Sequence, residues 1–200
     1  MIKQLSYFLV GLGLLIVFFS TSKSFTYSAG SPSGYTGSPG DNLSTCVSCH
    51  GVNTPENLLP YSLSLISDIG EYYIPGHLYN FTIDVSGVGI DKFGFQTCFE
   101  NEEGQKVGEI ILADSIQTQL ISSGNYITHT SNGVNGLSSK SWSFYWKAPL
   151  AVQGEISVYT SVLLSGNSIV GIDDYVMSTS QSFPAPVSYT HLTLPTILRV

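Results

Sequence analysis

Residues 78–85 read Leu-Tyr-Asn-Phe-Thr-Ile-Asp-Val, "LYNFTIDV". In an extended chain Tyr79, Phe81, Ile83 and Val85 share one face, and Asn80, Thr82 and Asp84 share the other. The same alternation recurs in "SWSFYWKAP", which puts Trp142, Phe144 and Trp146 on one side, and in "GEISVYTSVLLS" through Ile156, Val158, Thr160 and Val162. Lys92–Phe99 and Lys106–Leu112 are further strand candidates. Aromatic and β-branched residues at period 2, punctuated by Gly, Asn and Pro, predict antiparallel strands with one face buried. No amphipathic helical pattern interrupts them. The stretch from Leu58 to about Ser182, within a domain drawn as 58–187, is long enough to bury its own core as an all-β sandwich. Phe81, Ile83, Trp142, Phe144 and Trp146 are the expected core.

Upstream, Ser28–Asn57 is rich in Ser, Gly, Pro and Thr ("SAGSPSGYTGSPGDN") and offers little to bury. Residues 25–57 therefore read as an irregular N-terminal arm. Lys3 precedes an uncharged apolar run from Leu5 to Phe19, followed by Ser20–Ser24. That order predicts a secretory signal over residues 1–24. The run is short of the ~20 residues of a membrane span, so no integral span is expected in the mature chain. At the other end, residues 188–200 ("SYTHLTLPTILRV") break the preceding composition. They resemble a translated sequencing-adapter tail and read as non-native, an ordinary final strand being the alternative; His191 carries no functional weight.

Without these ends, four lysines face 14 acidic residues, a net charge of −10. Such a surface repels phosphate backbones and disfavours nucleic-acid binding. It suits an exported protein, secreted, periplasmic or at the cell surface, and names no redox or surface partner.

Two of the chain's three cysteines lie in "STCVSCHG", residues 44–51. Cys46-Val47-Ser48-Cys49-His50 has the C-x-x-C-H spacing of haem c attachment. Two sulfurs would take the vinyl groups, and the adjacent His50 would be the proximal iron ligand. A Cys46–Cys49 disulfide also suits an oxidising compartment but has no use for the histidine. A closed zinc site needs about four Cys/His ligands, and no second C-x-x-C exists. A thioredoxin-like motif needs a βαβ setting that the strand pattern denies. Haem c is the favoured cofactor, with the disulfide open. Cys98, in "KFGFQTCFE", is then left as a buried thiol, its rival role being a disulfide to the arm.

"YYIPGHLYNFTIDVSG", "KFGFQTCFENEEGQKVG", "YITHTSNG" and "WSFYWKAPLAVQGEISVYTSVLLSGN" together resemble the reeler domain, the N-terminal domain type of reelin. They resemble especially its bacterial secreted form with an upstream CxxCH segment. The resemblance spans about Asp41 to Ser182 and implies an immunoglobulin-like β-sandwich. It says little of activity, since one sandwich hosts many functions. Relatives often end in a type IX secretion signal whose start resembles "PAPV", residues 184–187, which would imply delivery to the cell surface.

For a sixth iron ligand His129 is the first candidate and Met177 the second; a vacant or water-bound position is equally open. Reeler domains without a haem motif carry similar histidines, which implies a structural role for His129. A lone Met in a strand usually packs. His77 reads as a solvent-facing loop residue. Asp173-Asp174 and Glu100, Glu102 and Glu103 read as acids of exposed turns. No calcium loop, nucleophile elbow or phosphate loop is present. Two function classes remain: a secreted or surface domain with one c-type haem for electron transfer or redox sensing, and a non-enzymatic binding or adhesion module without haem.

Overall fold

The computed structural model describes residues 27–50, 61–166 and 174–186. The expected export signal, residues 1–24, and the tail expected to be non-native, residues 188–200, lie outside the described residues. Among the described residues nine strands form two antiparallel sheets. One sheet contains β1 (Ser62–Ser67), β2 (Leu78–Ser86), β7 (Ser139–Lys147) and β4 (Glu109–Leu112) in that order. The other has the order β5 (Thr118–Ile121), β6 (Tyr126–His129), β3 (Lys92–Asn101), β8 (Ile156–Ser165) and β9 (Asp174–Phe183). The fold is an all-β sandwich.

Alternation decides the core. β2 and β7 pair in register, Phe81 opposite Phe144 and Ile83 opposite Trp142. All five expected core residues are at most 2% exposed. The two sheets meet through aromatic rings: Phe99 stacks on Trp146 at 4.5 Å and Phe95 leans on Trp142 at 4.6 Å. Both indoles also have their N–H satisfied, by the carbonyls of Gly133 and Val107, as buried tryptophans require.

β3 departs from simple alternation: every residue from Phe93 to Asn101 is buried. Phe93, Phe95, Thr97 and Phe99 face the opposite sheet, so Gln96, Cys98 and Glu100 point outward. The N-terminal arm covers them. Backbone Tyr35 N–H donates to Gln96 Oε1 at 2.7 Å, Thr36 Oγ1 lies 3.2 Å from Cys98 Sγ, and Ser38 Oγ donates to Glu100 Oε1 at 2.5 Å. Over residues 27–50 the arm is irregular apart from a 3-10 turn at Pro39–Asp41 and a short helix, α1 (Val47–His50). It docks by hydrogen bonds rather than by apolar residues. The strand foreseen from Lys106 begins only at Glu109: Gly108 takes a positive φ of 76°, and Lys106 makes only an isolated bridge to Glu100.

Candidate functional site

A buried charge cluster anchors the arm. Lys106 Nζ donates to Asp41 Oδ1 at 2.8 Å and also bonds Glu100. Both carboxylates are 1% exposed. Tyr126 Oη donates to Asp41 Oδ1 at 2.6 Å and Thr36 Oγ1 to Asp41 Oδ2 at 2.5 Å. Burial pushes the Asp41 carboxyl up, but the bonds from Lys106, Thr36 and Tyr126 together hold it below its ordinary value. Burial opposes the Lys106 charge as well, and its two carboxylate partners outweigh that and hold it protonated. Gly40 lies so close to Glu100 and the Gly104 carbonyl that a side chain there would collide with both. Glu100 is therefore no exposed turn acid. It is the floor on which the arm sits.

From that anchor the chain carries α1 across the outer face of the five-stranded sheet. Cys46 N–H donates to Ser161 Oγ at 3.3 Å, fixing the helix start over β8. His50 Nδ1 lies 2.7 Å from Asp174 Oδ2, at the start of edge strand β9. Asp174 pairs with Ser165 across β8 and β9, so both point outward. Asp174 is thus not a bystander either. All three cysteines are free thiols: Cys49 is exposed, Cys46 half-buried and Cys98 buried. Burial raises the Cys46 thiol, and it pushes Cys98 up to about 11.

Under the arm lies a cleft of about 280 Å³, close to the ~300 Å³ lower end of ligand pockets. Cys46, Cys49 and His50 form one wall, and Tyr27, Tyr35, Val134 and Leu163 supply apolar surface. His129, the first candidate for a sixth ligand, lines the same cleft. Among the described residues no group of three or more His, Cys, Asp or Glu is arranged to hold a bare metal ion.

His129 is held firmly. Phe95 N–H donates to its Nδ1 at 3.1 Å, where β6 leaves β3 and the side chain replaces the next ladder bond. Its Nε2 lies 3.4 Å from the Tyr27 carbonyl. An imidazole that accepts at Nδ1 carries its proton on Nε2. Ligating iron through Nε2 would require that proton to move to Nδ1, against the Phe95 N–H. Burial lowers the affinity of His129 for a second proton. Gly94 makes room for it: a Cβ there would lie 2.9 Å from His129 Cε1. A glycine inside a strand marks such an approach, and that signal was available in "KFGFQ". Met177 lies elsewhere. It pairs with Val162 and packs against the core between the sheets, on the opposite face of β9 from Asp174. His77 is exposed at its turn, its ring against Tyr79.

The fold and site define a class: an antiparallel β-sandwich whose docked arm presents a C-x-x-C-H helix over an apolar cleft. No family model matches the chain, and no curated protein matches it. Among solved structures it is similar to the Reelin-N domain of F-spondin, at 19% identity over 64% of this chain and 86% of that one, with a TM-score of 0.47. It is also similar to AggA, the major subunit of aggregative adherence fimbriae type I from Escherichia coli, at 9% identity, 65% and 97% coverage and a TM-score of 0.41. Neither likeness is close enough to carry a functional argument. No helix among the described residues is long and apolar enough to cross a membrane.

Proposed function

We propose that this is an exported, reeler-like domain carrying one haem c, bound through Cys46 and Cys49 with His50 as proximal ligand. The observation that carries the reading is that both free thiols and His50 line one apolar cleft, while Asp174 occupies His50 Nδ1 and leaves Nε2 as the ring's ligating atom. The donor set fits the group. Two thiols match two vinyl substituents, one imidazole nitrogen is available, and the aromatic and aliphatic walls suit an apolar macrocycle. In attachment each thiol adds across a vinyl double bond: an S–C bond forms, the thiol hydrogen goes to the neighbouring carbon, and no net oxidation occurs. The bound haem supplies one-electron chemistry, and the protein sets ligation, solvent exposure and local charge. The role is electron transfer or redox sensing outside the cytoplasm. Met177, packed against the core on the other face of β9, lies away from the cleft, and His129 would serve only after exchanging its tautomer.

The test is maturation of the full chain in a host with c-type attachment machinery. Intact mass should rise by one haem, and the haem should stay with the chain on a denaturing gel. Cys46→Ala with Cys49→Ala should abolish both. A chain with no haem mass and a Cys46–Cys49 disulfide would end this reading. The alternative, an extracellular binding module, has one observation in its favour. Ile74, Leu78, Leu150 and Val152 are 46–85% exposed at one end of the sandwich, where Gly76 N–H bonds the Pro149 carbonyl and brings the two loops together.

A further inference from the structure

We propose that Asp174 is the positioning residue of this site: through His50 Nδ1 it selects the ligating nitrogen and biases a bound haem toward its oxidised state. The inference rests on the haem reading for its redox half, and on geometry alone for the other.

The geometry is specific. His50 ends α1 on the arm, while Asp174 begins β9, 124 residues later in the chain. The two meet because β8–β9 pairing aligns Asp174 with Ser165, which lines the cleft. Their side chains are 29% and 14% exposed, so the contact is largely shielded from water. A carboxylate can only accept. Nδ1 must therefore carry a proton, and in the neutral ring Nε2 is left with its lone pair. Histidine ligands are oriented in this way by carboxylate partners, which also raise the ring's basicity. A negative charge hydrogen-bonded to the ligating ring would stabilise the more positive, oxidised iron and lower the reduction potential. No such bias arises where the partner is a neutral carbonyl.

The first experiment compares midpoint potentials of the wild-type, Asp174→Asn and Asp174→Glu holoproteins by spectroelectrochemical titration. Asn keeps an acceptor oxygen of the same reach and removes the charge. A merely structural role would leave the potential unmoved. The expected result is a rise in Asp174→Asn that shifts the reduced-to-oxidised ratio at least tenfold, ~59 mV for one electron, with recovery toward wild type in Asp174→Glu. A shift below threefold overturns the redox half. The second experiment uses haem-free chain with Cys46→Ser and Cys49→Ser, and reads the His50 tautomer from its ring nitrogen resonances. Nδ1–H should dominate, and Asp174→Ala should move the proton toward Nε2. A dominant Nε2–H form with Asp174 intact overturns the positioning. If that tautomer is as expected but the wild-type chain never acquires haem mass, the haem reading fails and the redox half with it, while Asp174 stands as the residue that sets His50.

Discussion

Replacing Lys106 with methionine keeps the length and apolar stem of the side chain and removes the one charge shared by Asp41 and Glu100. Both carboxylates then stay buried with their remaining donors. Asp41 retains Tyr126 Oη at 2.6 Å and Thr36 Oγ1 at 2.5 Å, and Glu100 retains Ser38 Oγ at 2.5 Å and the Gly40 N–H at 3.0 Å. Removing one partner of a buried pair costs about 3–5 kcal/mol, because the other charge is left uncompensated. The surviving hydrogen bonds put Lys106→Met at the lower end, ~3 kcal/mol. That is a large share of the ~5–15 kcal/mol that holds a domain together. Urea denaturation followed by tryptophan fluorescence reports the global loss. Hydrogen exchange of the Thr36–Asp41 amides reports whether the arm opens first. Adding Glu100→Gln and Asp41→Asn to Lys106→Met should recover stability, since the amides remove the buried charge: their oxygens accept from the Gly40 and Thr36 N–H groups, and their NH2 groups donate to the Ser38 and Tyr126 hydroxyls, which turn to accept. A loss under 1 kcal/mol in Lys106→Met, with unchanged amide protection, would refute the claim that this ion cluster docks the arm.

Gly94→Ala should displace the His129 ring and free the Phe95 N–H, costing about 1–3 kcal/mol for a buried donor left unpaired, measured by thermal unfolding; His129→Ala in the same background should add little. Cys98, pushed up to about 11, should resist alkylation at pH 8 in native haem-free chain while the exposed Cys49 reacts, as mass spectrometry of peptides would show. The Asp41 carboxyl is held below its unfolded value of ~3.9, so its contribution is present above about pH 4 and is lost as pH falls through its folded value. Lys106 is shifted the opposite way, and its contribution persists until pH rises beyond ~10.4, its unfolded value. Amide protection in the arm, taken relative to the intrinsic exchange rate at each pH, should therefore fall on acidification and stay flat from pH 6 to pH 9.

Local pattern was enough for the sandwich. A strand's two faces are written in alternate residues, so Phe81, Ile83, Trp142, Phe144 and Trp146 could be assigned inward with no partner known. The C-x-x-C-H spacing was equally local, since five consecutive residues carry both thiols and the imidazole. Strand faces read correctly from sequence because neighbouring residues decide them among themselves.

The remainder depends on residues far apart in the chain. "SAGSPSGYTGSPGDN" has no apolar face, and its docking follows from polar groups whose partners are Gln96 and Glu100 on β3, Tyr126 on β6, and Lys106 in the turn after β3. Glu100 and Asp174 look like surface acids until the arm and β9 are placed. As ligand candidates His129 ranked ahead of Met177 in sequence, but nothing there placed either one near His50. Strand parity turned one into the core and the end of β6 turned the other into the cleft. Hydrophobic periodicity reports which face of a strand is buried by its own sheet pair, and it is silent about a polar segment that returns to cover the outer face. That return, brought about by hydrogen bonds and charges across 60 or more residues, is what places His50 against Asp174.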